Sequence, residues 1–264
     1  MKYFLVFQHF SRNMKKHFIF WPVFFLIFLF FGSLFIGRYP IPERISLAIE
    51  NEVFIKLLTR VRLPRILFSV FVGFGLSISG LIMQNIFKNP LADPGLLGIN
   101  QAAGFGAALG ILLFTNSFFT IQFLAFSFGI AALILAILLA KNIKKDERLS
   151  LVLAGISVSA LFSAGLGLIK YVADPLDELP SIVFWLLGSI SNSNWNSLVK
   201  VFPVIICCLF ILYIYRWRIN VYALDKEVLY SLGIKNNAEL LFILGTSVLL
   251  TTSIISVSGI VGWV

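Results

Sequence analysis

Six stretches of this chain, 66–87, 94–140, 149–169, 179–199, 201–215 and 240–264, contain no Asp, Glu, Lys, Arg or His. An uncharged helix of about 20 residues rises roughly 30 Å, the thickness of a bilayer's hydrocarbon core. Hydrophobic residues make up 59% of the sequence, charged residues 12%, and the mean hydropathy is +0.96. A soluble domain of that makeup has too little polar surface to cover itself. The fold class expected is therefore an all-α polytopic membrane protein, a single transmembrane domain over residues 1–264.

Apolar blocks of spanning length lie at about 18–37, 66–87, 96–114, 118–140, 149–169, 198–215 and 239–257. They predict seven helices, with Gly259 to Val264 as the start of an eighth. Leu179 to Ser191 is apolar but too short to cross, and reads as a re-entrant or interfacial helix shielded by protein or a water-filled cavity. Basic residues precede the first block, but no small-residue cleavage site follows it, so it reads as a retained helix.

Orientation follows from Lys and Arg. A cytoplasmic N-terminus places Lys2, Arg12, Lys15 and Lys16 inside, together with the loop Lys141–Arg148 and the loop carrying Arg216, Arg218, Lys226 and Lys235. The acidic loop Asp174–Glu178 falls outside. One segment disobeys: 38–65, expected outside as a loop, carries six basic residues from Arg38 to Arg65. An acidic partner would account for that surplus.

The composition weighs against several function classes. The net charge of +9 is spread between apolar blocks and forms no aromatic-interleaved basic patch, so nucleic acid is not a partner. Ion-coupled transporters and intramembrane enzymes keep ionisable groups at depth, and these spans hold none. There is no GxxxxGK[ST] phosphate loop, no metal-ligand spacing and no implied cofactor; adjacent Cys207 and Cys208 read as packing residues. Uphill transport by this chain would draw its energy from another subunit.

Four segments carry candidate functional residues. Arg62 and Arg65 flank Leu63-Pro64 at the outer mouth of the second span, either as snorkelling interface anchors or as forks for carboxylates on a docked partner. Asn89, Pro90, Asp93, Pro94, Gly95 and Gly98 form a Pro/Gly elbow, NPLADPGLLG, on the cytoplasmic side. Ala223 to Ile234 is short and amphipathic, with Leu224, Val228 and Leu232 at i, i+4 and i+8 and Gly233 as a stop. It suits a helix lying on the bilayer, or one laid into a groove of a cytoplasmic partner. In the fifth span, Ser157, Ser159 and Ser163 suit either helix packing or a passage that must not grip its cargo. The many glycines in the spans, including the Gly106/Gly110 step, read as close helix packing.

The segment RLPR, the elbow NPLADPGLLG, LAGISVSALFSAGLGLIK (153–170) and the short helix through Trp185 together resemble the FecCD-type permease subunits of ABC importers for iron-siderophores, haem and cobalamin. That resemblance implies a ten-helix type II importer fold, here truncated after about seven to eight helices. SVSGIVGWV resembles the opening of a segment that continues in the family through a Pro-His pair to further helices. It also implies no enzyme activity in the chain itself. ATP-binding subunits would dock at Leu224, Glu227, Leu229, Leu232 and Gly233. An extracytoplasmic substrate-binding protein would dock at Arg62 and Arg65, and a second permease subunit would form a homodimer. Ser157, Ser159, Ser163 and Trp185 would line the translocation path in the inner membrane. The implied cargo is a ferric-siderophore, haem or cobalamin-like chelate, with an oxyanion such as molybdate next. From the residues alone, a secondary transporter without an ATPase and a non-transporting remnant stay open.

Overall fold

The computed structural model describes residues 21–36, 52–114, 117–143, 147–224, 226–233 and 237–261. All regular structure among them is helical: α1 Trp21–Phe35, α2 Glu52–Phe87, α3 Ile99–Leu113, α4 Phe118–Lys141, α5 Glu147–Val172, α6 Glu178–Leu187, α7 Trp195–Ile214, α8 Arg216–Tyr222, α9 Lys226–Ser231 and α10 Asn237–Ser258. Of these, α2, α4, α5, α7 and α10 are long and apolar enough to cross a membrane, while α1, α3 and α6 are shorter apolar helices. The N-terminal residues 1–20 and the expected loop residues 37–51 lie outside the described set.

The chain divides into two compact units at Leu67. In the first unit, the charged segment expected as a loop is helical from Glu52 onward, so α2 begins well before its apolar run. Glu52 and Lys56, paired at 2.8 Å, lie one turn apart on its first turns. The helix widens into a π turn at Leu58–Arg62, where the Leu63 N–H bonds back to Leu58 O. Pro64 explains the position of that turn: it offers no N–H to the Arg60 carbonyl, and its ring would crowd that oxygen in a regular helix.

In the second unit, glycines set the helix spacing. A Cβ at Gly106 of α3 would collide with the Leu124 carbonyl of α4, and one at Gly110 would lie 3.0 Å from Ile121 Cα. The small-residue step thus brings two backbones together, as expected in lipid. Ala102, Ala132, Ala136, Ala154 and Val158 pack α3, α4 and α5 into one layer, and Ile182 of α6 joins Ala108, Ile111 and Ile169. The most enclosed span is α10: 72% of its apolar window is buried, against 28–39% for the other four. It carries seven buried hydroxyls between Thr246 and Ser258. Most are satisfied on the helix's own preceding turn, as with Thr251 Oγ1 to Ser247 O at 3.0 Å and Ser253 Oγ to Leu249 O at 2.7 Å. Ser79 of α2 reaches across to Ser247 O at 3.2 Å.

Two further expectations change. The third span starts at Ile99, because Pro94–Leu97 is a separate 3₁₀ turn. Gly259–Val261, where the sequence predicts the start of an eighth helix, has no regular secondary structure, and 262–264 lie outside the described residues. Gly259 (φ 70°) turns there directly against Gly188 (φ 70°), with Cα of Gly188 2.9 Å from where a Gly259 Cβ would stand. The Ser189 N–H donates to Ser258 O at 2.6 Å, fixing the end of α6 to the end of α10.

Candidate functional site

The elbow after α2 is held by its own side chains. Asn89 Oδ1 accepts the Leu91 N–H at 3.0 Å, and Asp93 Oδ1 accepts the Leu96 N–H at 3.0 Å. Pro94 opens the 3₁₀ turn with its preset φ, and Gly98 closes it at φ 79°, donating to Gly95 O at 2.8 Å. Gly98 is then the residue before α3, its carbonyl accepting the Ala102 N–H at 3.0 Å. Burial raises the Asp93 carboxyl above its ordinary pKa, against the opposing effect of backbone N–H donors at Leu96 and Gly95. Asn89 and Pro90 are exposed, whereas Pro94, Leu97 and Gly98 are buried.

The buried half of the elbow leans on α5. Gly155 lies against Leu96 O and Leu97 Cα, and a Cβ at Gly98 would meet Val158 Cγ1 at 2.9 Å and Ser159 N at 3.0 Å. Val158 lies eleven residues into α5, roughly 16 Å along its axis from Glu147. The start of α3 is therefore recessed by about three turns of α5, and 15 residues suffice for it. Elbow and fifth span, separate motifs in the sequence, meet at Gly155, Val158 and Ser159.

The remaining path residues differ in placement. Ser157 and Ser163 are exposed on α5, Ser159 is half-buried at the elbow, and Ser157 Oγ is bonded to Leu153 O at 3.0 Å. Trp185 of α6 is half-buried, packed beside Ala103, Ala107 and Ile255. No group of three or more His, Cys, Asp or Glu near enough to hold a metal occurs among the described residues.

The segment Ala223–Ile234 forms a shorter helix than its periodicity predicts: α9 covers Lys226–Ser231, preceded by a separate α8. Leu224, Val228, Leu232 and Glu227 are exposed, but only Glu227 and Val228 lie within α9, and Gly233 takes φ 74° after the helix. Leu229, expected among the contact residues, is instead 8% exposed and turned into the chain. A set of side chains not foreseen in the sequence secures this region. Glu239, at the start of α10, accepts Arg218 Nε at 3.2 Å and the Tyr222 hydroxyl at 3.1 Å. Arg148 of α5 donates to the Tyr222 carbonyl at 3.0 Å. Burial first, then the Glu239 charge, pushes the Tyr222 phenol up to about 12, so it stays a donor. The available signal was a charge at the mouth of each span involved, which sequence alone cannot pair.

At the other motif, the two arginines part company. Arg62 is half-buried: it donates to Leu34 O of α1 at 2.7 Å and sits 5.9 Å from the Phe54 ring centre. Arg65 is exposed.

Comparison with known proteins identifies the family. The chain is 36% identical to the molybdate import system permease protein of Haemophilus influenzae, over 88% of this chain and 71% of that one. It is 31% identical to the hemin transport system permease protein of Yersinia pestis, over 90% and 73%. Against an iron chelatin transport system permease assignment in Helicobacter pylori it is 38% identical over 79%, and spans 62% of that protein. An ABC transporter assigned to the metal-chelate type, solved in an inward-facing conformation, superposes with a TM-score of 0.84 at 34% identity, covering 94% of this chain and 78% of its own. With residues 25–264 matching the profile of the FecCD transport family, the chain belongs to that family of multi-pass ABC-importer permeases.

Proposed function

We propose that this chain is the membrane-spanning subunit of a binding-protein-dependent importer, moving a metal chelate through a pathway between two permease copies in the inner membrane. It performs no covalent chemistry. ATP bound and hydrolysed on two docked subunits drives it between outward- and inward-facing states.

The observation that carries this reading is the exposed apolar set Leu224, Val228 and Leu232, following an α8 secured to α5 and α10 through Arg148, Arg218, Tyr222 and Glu239. A helix of six residues has too little surface of its own to be useful alone, but the α8 that precedes it is tied to α5 and α10 and carries their movement toward it. Leu224, Glu227, Leu232 and Gly233 form the ATPase contact, with Val228 taking the place of buried Leu229. Arg65, with Arg62 behind it, receives carboxylates of the substrate-binding protein outside. This puts the N-terminus in the cytoplasm, as the Lys and Arg distribution favours. Ser157 and Ser163, exposed on α5, face the second copy and the path.

Ferric-siderophore or haem is the favoured cargo, since a haem permease is among the relatives and the path offers small apolar and hydroxyl groups rather than charge. Molybdate is the second reading, because the Haemophilus molybdate permease aligns over 88% of this chain. The test is ATP-dependent uptake in vesicles holding the permease, its ATPase and its binding protein. A ferric hydroxamate, haem, cobalamin and molybdate are offered in turn. Uptake without the ATPase would overturn the importer reading, and the preferred cargo separates chelate from oxyanion.

A further inference from the structure

Where α6 ends, its main chain crosses the main chain at the end of α10. Gly188 closes α6 at φ 70° and ψ 142°, a conformation that glycine alone reaches without strain. A Cβ there would run into the Ile260 carbonyl, and one on Gly259 would run into the Trp185 carbonyl. Two hydrogen bonds fix the crossing: the Ser189 N–H donates to Ser258 O at 2.6 Å, and the Gly259 N–H to Ile255 O at 2.8 Å. The Ser258 hydroxyl, 3.0 Å from the carbonyls of both Ile254 and Gly259, ties the turn to the last residues of α10. Side chains complete the seat. Trp185 packs beside Ile255, and Leu186 and Ile260 close together over Gly104 of α3, where a Cβ would lie 2.8 Å from Leu186 Cδ2. At its other end, α6 is joined to α5 by the exposed turn Asp174–Asp177.

We propose that Gly188 and Gly259 are positioning residues for transport: their crossing makes α6 and α10 one body, through which movement at the Glu239 cluster reaches Trp185, an inference that rests on Trp185 lining the path. Helices packed through side chains slide past one another by small rotamer adjustments. A backbone crossing at van der Waals distance has no rotamer to adjust, so it either holds or comes apart. From Glu239 to Ser258 is nineteen residues, roughly 28 Å of helix, which takes α10 from the α8 contact to the α6 contact. The two ends of one rigid helix therefore touch the element beside the ATPase contact and the element that bears Trp185. Rigid secondary elements with two arrangements are what carries coupling between distant sites.

The experiment places cysteines across the crossing, Leu186→Cys with Ile260→Cys, in the full-length protein carrying Cys207→Ala and Cys208→Ala. A short bis-methanethiosulfonate linker joins the two thiols, and a reductant releases them. The link is expected to form equally in the permease alone and in its complex with the ATPase trapped by ATP and vanadate. Linked protein is expected to transport as fast as released protein, read with whichever of haem, ferric hydroxamate, cobalamin or molybdate wild-type vesicles accumulate. A link that fails in the permease alone or in the trapped complex overturns the proposal, as does uptake lost on linking and regained on release. Gly259→Ala is expected to lower the maximal uptake rate roughly tenfold, within the range of a coupling free energy between sites, with an unchanged KM for the loaded binding protein. In a Trp185→Ala background the same change has little further effect, because it acts through that residue. Losses that simply add, or a raised KM alone, overturn the positioning role; if Gly259→Ala does not fold, the linking experiment decides. Linking in the permease alone needs no partner, so a link that forms while wild-type vesicles show no ATP-dependent uptake sinks the importer reading and leaves the α6–α10 joint standing.

Discussion

Gly155 of α5 lies directly against the carbonyl of Leu96, so at this point the elbow and the fifth span touch through backbone. A methyl group at 155 meets a main-chain oxygen that cannot swing aside. Gly155→Ala is therefore expected to cost about 1–3 kcal/mol through overpacking. Gly167 on the same helix has open space around it, so Gly167→Ala should be neutral or gain up to about 1 kcal/mol from helix propensity. Thermal melts monitored by size-exclusion chromatography compare the two, and equal melting temperatures would refute the close contact.

Asp93 separates charge from capping. Its side chain caps the 3₁₀ turn by accepting from Leu96, while burial raises its pKa. A carboxyl raised in the folded state contributes stability that is fully present below its ordinary range and is lost as pH rises through the raised value. Asp93→Asn keeps an acceptor and removes the charge, so at neutral pH it should melt at or above wild type, with the gap closing on acidification. Asp93→Ala loses the cap and should fall by about 1 kcal/mol. A melt series from pH 4 to 8 checks both, and a lower melting temperature for Asn than for Ala would sink the assignment.

How legible this protein is from its sequence depends on which forces are local. The cores of α4, α5, α7 and α10 fall within a few residues of the apolar blocks, because lipid imposes length and hydropathy on each span separately. The start of α2 is not legible: Lys56, Arg60 and Arg62 look like a loop by composition, yet a helix satisfies its own backbone whatever its side chains. Pro94 and Gly98 announce the elbow, but its recess against Val158 depends on a contact sixty residues away. The exposed apolar set around α9 is visible in the Leu224–Val228–Leu232 spacing, although the helix reaches neither Leu224 nor Leu232. That Leu229 turns inward, and that Glu239 gathers Arg218 and Tyr222, are tertiary facts with no local trace.

The Glu239 cluster makes a prediction about coupling more than stability. Arg218 is half-exposed, so its ion pair is worth little on its own, about 0–1 kcal/mol, and the phenol bond adds about 1 kcal/mol. Glu239→Gln and Tyr222→Phe should thus fold and bind the ATPase, but hydrolyse more ATP per cargo moved. Exchanging the charges, Arg218→Glu with Glu239→Arg, should restore part of the ratio. The phenol's raised pKa adds stability that is present below about pH 10 and lost toward about 12, so the cluster does not titrate near neutrality. An unchanged ratio of hydrolysis to uptake in both single variants would show that the contact is only structural.

Arg62 and Arg65 should fail in different ways. Arg62 is tied to the Leu34 carbonyl and lies over the Phe54 ring, so Arg62→Ala removes a charged hydrogen bond of about 1.5–3 kcal/mol and should lower the melting temperature. Arg65 is exposed, so Arg65→Glu should leave the melt unchanged while weakening capture of the substrate-binding protein roughly tenfold or more through like-charge contact. Surface plasmon resonance with the permease in nanodiscs measures the second effect, and its salt dependence should be steeper for wild type than for Arg65→Gln. If Arg65→Glu binds as wild type does, the exposed arginine is an interface anchor, and the acidic partner docks elsewhere.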